Sequence, residues 1–467
     1  MEKNERIYEK VKCVFYYGII AVTMLLNIIR IFDITFWGDE CFSILLAQTS
    51  MKEIIQVTAQ DVHPPLYYMI LRIFYLLFGD ERFIYHLVSV LPILLMIVFG
   101  MTKIKREFGR HVSIIFILLS TFLECTFKYN VEVRMYTWAA FFVLLCYWYA
   151  YELIRKSGIQ HWGMFIISGL SAAYTHYYAL IAVALIYLGV FIYLIMKDKK
   201  YIKHIAICSG ITIIGYLPWF GVLLKSFQRS KESWWSAEIP NLKAVIEFLV
   251  GKGIVARVFI GFCIIIIIWS VYQYVVKKNG DINWYWTAIG LLVFIGLTLI
   301  GLGVSYLLRP LFIERYLFVG VGCLNLSFSI LVCEFLKNTK GILCFIILIL
   351  LIGVPKWYKI YQEDSYMNEG TVETLNYEKE NFSKDDVLVS SNWLYTWRVF
   401  AYYFPEYEYY NMMETNWQSL SNKEIWIFYQ KELDKEIIDT FHSWGRTVEF
   451  CKKGILGEQV YYLYKVQ

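Results

Sequence analysis

Two short acidic segments carry the most chemistry in this chain: Trp37-Gly38-Asp39-Glu40 and, about twenty residues on, Asp61-Val62-His63-Pro64-Pro65-Leu66. A carboxylate within hydrogen-bond reach of a hydroxyl can take its proton as that oxygen attacks an electrophilic carbon, and a second acid can orient the attacking group. Asp39 and Glu40 supply such a pair. Both segments follow directly on the first long apolar run, where the chain leaves a membrane, and carboxylates kept at that depth usually serve chemistry or transport. A solvated loop is the plainer reading of Asp-Glu, and the flanking Phe36 and Trp37 weigh against it. In the second segment the paired prolines fix φ and remove donors, giving a rigid entry into the next helix. They hold Asp61 and His63 toward the same loop; a simple helix cap by Asp61 explains the residues equally well.

Cations and imidazoles come later. Arg134 sits in Tyr129-Asn130-Val131-Glu132-Val133-Arg134-Met135-Tyr136, and Arg309, Glu314, Arg315 and Tyr316 form another group. A guanidinium matches phosphate oxygens in a fork, whereas an arginine at the end of a span also simply snorkels to the interface. Thr175-His176-Tyr177-Tyr178 places a histidine among hydroxyls at a similar position. Trp234 and Trp235 suit stacking on a sugar ring or an interfacial belt. Asp39, Glu40, Asp61 and His63 include hard-oxygen and imidazole ligands, so a divalent metal is open. The ten cysteines show no CxxC or zinc-like spacing, and most lie within apolar runs.

The elements that must position these groups are membrane helices. Hydrophobic residues make up 58% of the 467 and charged residues 18%, which excludes an ordinary soluble domain. The net charge of +5 is too scattered for a nucleic-acid partner. Runs of roughly 20 apolar residues can cross a bilayer. Candidate spans are 13–32, 83–101, 112–127, 134–153, 162–175, 177–196, 205–223, 255–276, 285–306, 316–336 and 341–355. Clusters at Lys3–Lys12, Lys103–Arg110, Arg155-Lys156, Lys197–Lys203, Lys277-Lys278 and Lys337–Lys340 fall on one side if 66–78 does not cross. That run is short and carries Arg72, so it is read as an interfacial helix. The N-terminus is then cytoplasmic and the C-terminal domain extracytoplasmic. Segment 33–82 becomes a long first external loop, and the acids, Arg134, His176 and Arg315 share one face. A second external segment, near 224–254, includes an amphipathic stretch from Asn241.

Composition changes near Lys356. The chain therefore divides into a membrane domain, 1–355, and a small polar α/β domain, 356–467. Its apolar runs at Val387–Val389, Ile425–Phe428 and Val460–Leu463 predict strands, and Glu369–Lys379 and Asp434–Phe441 predict helices.

Together these segments resemble the GT-C superfamily of membrane glycosyltransferases, in particular protein O-mannosyltransferases, bacterial lipid A aminoarabinose transferases and the related RgtA/B/C/D-like transferases. The resemblance covers roughly 10–355 and rests on Gly38-Asp39-Glu40, Asp61–Leu66, Glu132–Tyr136, Thr175–Tyr178 and Glu314–Tyr316. The second motif continues Tyr67-Tyr68, where mannosyltransferases have a lysine, which favours a bacterial relative. The resemblance implies a GT-C fold of about eleven transmembrane helices in a multi-pass cell-membrane protein. It implies transfer of a monosaccharide from a polyprenyl-phosphate donor to an extracytoplasmic glycan, lipid or protein, by inverting displacement. Asp39 would be the base, with Glu40 beside it. Asp61, His63, Arg134, Tyr136, His176, Tyr177, Arg309 and Arg315 would bind the substrates. The rival class is a membrane transporter or lipid-linked sugar flippase, since charges within membranes also line transport paths. Repeated halves with broken helices, which would favour it, are not evident.

Overall fold

Apolar side chains on several long helices face outward. Ile264, Ile265 and Ile268 on one helix and Ile213, Ile214 and Leu217 on another are more than half exposed. In water such patches are a liability; in hydrocarbon they are the proper surface of a spanning helix. The computed structural model describes residues 2–32, 35–156, 158–197, 199–230, 239–276, 282–307, 312–391, 393–420 and 422–467. Among these, nine helices are long and apolar enough to cross a membrane.

In chain order, α1 (Glu2–Ile28) is followed by the short α2 (Gly38–Gln48), α3 (Met51–Thr58) and α4 (Leu66–Phe78). Next come α5 (Arg82–Phe99), α6 (Lys105–Phe122), α7 (Glu124–Tyr129), α8 (Tyr136–Lys156), α9 (Ile159–Ala173) and α10 (Tyr177–Lys197). The series continues with α11 (Ile202–Ser230), α12 (Leu242–Val250), α13 (Ile254–Val275), α14 (Ile282–Leu307), α15 (Val321–Leu336) and α16 (Thr339–Asn381). The eleven spans read from sequence and the nine found here differ for two physical reasons. Arg82–Phe122 counts as one helical run, yet Gly109 at φ 85° breaks it and lets α6 turn back. At 15 residues α9 falls short of a full crossing length. The thirteen-residue α4 is likewise short. Asn241 caps α12 through Oδ1, which accepts the Ala244 amide at 3.0 Å. Trp234 and Trp235 lie outside the described residues.

The chain divides into two compact units. One comprises Met1–Ile31, Ser50–Ile73 and Leu87–Tyr358; the other comprises Phe32–Thr49, Phe74–His86 and Lys359–Gln467. The first unit is the helical one. Its interior helices are tied by polar as well as apolar contacts. The buried Arg30 donates to the Phe127 carbonyl and to Asn130 Oδ1, and Asn130 Nδ2 donates to Asn27 Oδ1 at 2.9 Å. This network anchors the stretch that leads to Arg134.

The second unit is built on a five-stranded sheet. Its strands are β1 (Val387–Ser390), β2 (Glu408–Asn411), β3 (Ile425–Tyr429), β4 (Val448–Leu456) and β5 (Gln459–Val466), in the order β2-β1-β3-β5-β4. β1 pairs parallel with β2 and β3, whereas β3–β5 and β5–β4 are antiparallel. β1 and β3 are buried along their whole length, as central strands covered on both faces are. On one face Val387, Val389, Ile425, Ile427 and Val466 pack with Phe441 of α18 (Lys435–Ser443). On the other, Phe382 at the end of α16 stacks on Trp426 at 4.1 Å, and Phe400 of α17 (Trp393–Tyr403) meets Phe428 at 5.0 Å. The three strands and two helices read in this region are present. α16 runs unbroken through the composition change at Lys356, and α17, β2 and β4 carry too few apolar residues in phase to stand out.

Candidate functional site

The acidic pair belongs to the second unit. Asp39 and Glu40 occupy the first turn of α2, where carboxylates complement the exposed amides and the helix dipole. Glu40 is buried, and its Oε2 accepts the Trp37 amide at 3.1 Å, closing the helix start. Asp39 is partly exposed and pairs with Arg398 of α17, Nη1 to Oδ1 at 3.3 Å. The entry to this helix is fixed by aromatic packing. Phe36 is fully buried, its ring stacks on His86 at 4.7 Å, and its amide donates to Tyr403 Oη at 2.8 Å. Burial first, and then the charge of Glu40, push the Cys41 thiol well above its ordinary range, so it is inert as a nucleophile.

The remaining described candidates belong to the first unit. Residues 59–66 are held by main-chain bonds: the Leu66 amide donates to the Tyr174 carbonyl at 3.0 Å, Arg229 donates to Ala59 O at 2.9 Å, and Ser226 donates to Asp61 O at 3.4 Å. His63, Pro64 and Pro65 are buried, and Asp61 is partly exposed. His63 lies against His176, ring centroids 5.3 Å apart. His176 is the hub, with Tyr136 at 5.8 Å, Tyr316 at 5.2 Å and Tyr178 at 6.0 Å. The Arg315 guanidinium stands 5.9 Å over the Tyr136 ring. It projects from a 3₁₀ turn, Glu314–Gly320, just before α15.

Electrostatics draw the two arginines into the same cluster. The His63 imidazole is held well below its usual pKa by burial, then by the charges of Arg134, His176 and Arg315. His176 is pushed down to about 3 by burial, then by Arg134 and Arg315. Both rings are therefore neutral at physiological pH. The buried His63 Nδ1, His176 Nε2 and Tyr136 Oη lack a hydrogen-bond partner among the described residues. His176 Nδ1 accepts the Tyr178 amide at 3.1 Å, which assigns the ring proton to Nε2. Two guanidinium groups, tempered by the charge of Glu132, act on an imidazole donor and a hydroxyl, a set that suits an anion such as a phosphodiester.

Tyr177 packs instead with Ala173, Tyr216 and Trp219, and Tyr178 is the tyrosine of this segment that joins the rings. Arg309 lies outside the described residues. Among the described residues no group of three or more His, Cys, Asp or Glu side chains converges as metal ligands. Arg398 escaped the sequence reading because nothing in its neighbourhood marks it.

Residues 62–221 match the family described as Dolichyl-phosphate-mannose-protein mannosyltransferase. The likeness to membrane glycosyltransferases read from the motifs holds over that stretch. It covers 160 of the 467 residues and contains His63, Arg134, Tyr136 and His176, but neither Asp39 nor Arg315. No curated protein matches the chain. Two solved structures of ArnT from Cupriavidus metallidurans align along almost the whole chain. The apo form has 12% identity, covers 98% of each chain and has a TM-score of 0.48. The form bound to undecaprenyl phosphate has 11% identity, covers 97% of each chain and has a TM-score of 0.45.

Proposed function

We propose that this protein is a membrane glycosyltransferase of the GT-C type that moves a monosaccharide from a polyprenyl-phosphate donor to an acceptor outside the cytoplasm. One observation carries the donor half of the reading: the cluster of the buried Arg134, Tyr136 and His176 with the half-buried Arg315, in which an imidazole N–H and a phenol have no hydrogen-bond partner among the described residues. A lipid-linked phosphodiester offers acceptor oxygens to that imidazole N–H and phenol, and its charge suits the two guanidinium groups beside them. As the sugar departs, negative charge grows on the phosphate, and fixed donors stabilise it without rearrangement. Such a leaving group needs no separate general acid.

The acceptor half rests on Asp39. Its carboxylate takes the proton of the attacking hydroxyl as the new glycosidic bond forms on the opposite face of the sugar from the phosphate. Glu40 holds the helix turn that carries Asp39. His63 lies against His176 in the donor cluster, and Asp61 and Tyr177 contribute to substrate binding. The N-terminus is cytoplasmic, and the C-terminal domain lies outside and holds the acceptor. Chelation tests the need for a divalent metal.

The test is transfer by purified protein given a panel of undecaprenyl-phosphate monosaccharides with envelope glycan, lipid and peptide acceptors. Turnover with one donor that is lost in Asp39→Asn, with normal membrane insertion, supports the reading. Tight binding of lipid phosphate with movement of labelled donor across vesicles, and no transfer to any acceptor, moves the assignment to a flippase.

A further inference from the structure

The ion pair between Asp39 and Arg398 joins residues 359 positions apart within the second unit. Arg398 does more than touch one oxygen. Its guanidinium also lies 4.6 Å over the ring of Phe42 and 5.3 Å over that of Trp397. Phe42 is one turn beyond Asp39 on α2, so the arginine grips a carboxylate and a ring on the same helix face. The fastening is doubled. Five residues further along α17, Tyr403 accepts the Phe36 amide at 2.8 Å, fixing the chain just before α2. The β4–β5 turn backs α17: Gly457 (φ 59°) and Glu458 (φ 62°) form a two-residue loop with both residues left-handed, and a Cβ at Gly457 would meet Val399 at 2.8 Å.

We infer that Arg398 is a positioning residue for the Asp39 carboxylate, so the C-terminal part of the chain contributes to the working geometry of the base. This rests on Asp39 being the base. A carboxylate has about four acceptor sites, so a guanidinium on Oδ1 leaves Asp39 able to accept a proton while removing its freedom to rotate. Small misplacements of a reacting group are costly, about a hundredfold for one ångström.

The experiment uses full-length protein and the undecaprenyl-phosphate sugar that the wild type turns over. Variants are Arg398→Lys, Arg398→Gln, Arg398→Ala and Asp39→Asn. Expected for Arg398→Gln is a fall in kcat of about tenfold or more, with the donor KM within about twofold of wild type. Arg398→Lys retains an intermediate rate, and millimolar guanidinium restores part of the rate to Arg398→Ala. Wild-type kcat in Arg398→Gln overturns the inference. So does a rate loss in Arg398→Ala that tracks a lowered melting temperature and resists guanidinium, since that assigns the pair to packing alone. An active Asp39→Asn reports failure of the base assignment. An inactive Asp39→Asn beside a fully active Arg398→Gln reports failure of the positioning role only.

Discussion

The Tyr178 amide donates to His176 Nδ1 at 3.1 Å, and that bond decides which way the imidazole presents its proton. With Nδ1 occupied and the ring neutral, Nε2 is a donor, buried beside two arginines and without a partner among the described residues. His176→Phe keeps the ring packing and deletes the donor. Hydrogen bonds to charged groups contribute about 1.5–3 kcal/mol, so the affinity for undecaprenyl phosphate should fall by about tenfold to a hundredfold. Ligand-induced thermal stabilisation of the purified protein measures this directly; an undiminished shift would remove His176 from the anion site.

Arg134 is buried, and its charge acts on both imidazoles. If it grips a phosphodiester through two N–H groups, lysine is a poor replacement, because an ammonium cannot offer the planar fork. Arg134→Lys should raise the donor Kd by about tenfold or more, with Arg315→Lys similar. Equal affinity in the lysine variants would show that these positions supply only diffuse positive charge.

The two neutral imidazoles set a pH dependence. Their folded pKa values lie below the ordinary value near 6.5, and that of His176 is about 3. Above about pH 6.5 neither the folded nor the unfolded state binds a proton at these sites, and the folded state is fully stable in this respect. As pH falls below that value the unfolded chain takes up protons that the folded one refuses. Stability is then lost by up to about 1.4 kcal/mol per pH unit per histidine, until the folded pKa is reached. Melting curves from pH 7.5 to 5 should show this decline, and it should be shallower in His176→Gln. Bound lipid phosphate should also flatten it, since an anion favours the imidazolium.

Much of the membrane architecture was legible because a bilayer reads composition directly. A run such as 255–276 has few alternatives to crossing, and α13 occupies nearly the same residues. What was not legible is partnership. The segments 32–49 and 74–86 pack with the C-terminal residues as one unit, yet nothing in their spacing names Tyr403 or Arg398. The proposed donor cluster was half legible. His176, Arg134 and Arg315 were singled out by residue type, whereas the choice of Tyr178 over Tyr177 as a ring neighbour depends on rotation about a helix start. Nor does the sequence tell Glu40 from Asp39, because the two adjacent acids differ only in what they touch.

Tyr403→Phe tests the fastening of α2. It leaves the ring packing and withdraws the hydroxyl that accepts from the buried Phe36 amide. A buried donor left unsatisfied costs about 1–3 kcal/mol. A lower melting temperature, with a loss of transfer larger than the loss of folded protein, is the expected result. Unchanged melting would mean that the amide finds another acceptor.

Adjacent acids with different contacts give the sharpest comparison. Glu40 is 2% exposed and uses Oε2 to accept the Trp37 amide, a contact that a glutamine carbonyl reproduces. Asp39 is more open and pairs with Arg398. If Glu40 serves the helix start and Asp39 the proton, Glu40→Gln keeps most of the transfer rate, and Glu40→Ala loses about 0.5–2 kcal/mol of stability, as lost caps do. Asp39→Asn, which preserves size and removes basicity, should lose transfer almost completely without a matching fall in melting temperature. Initial rates and melting curves on the same preparations separate the cases. A Glu40→Gln protein as inactive as Asp39→Asn would make the buried acid the base and its neighbour the helix-end charge.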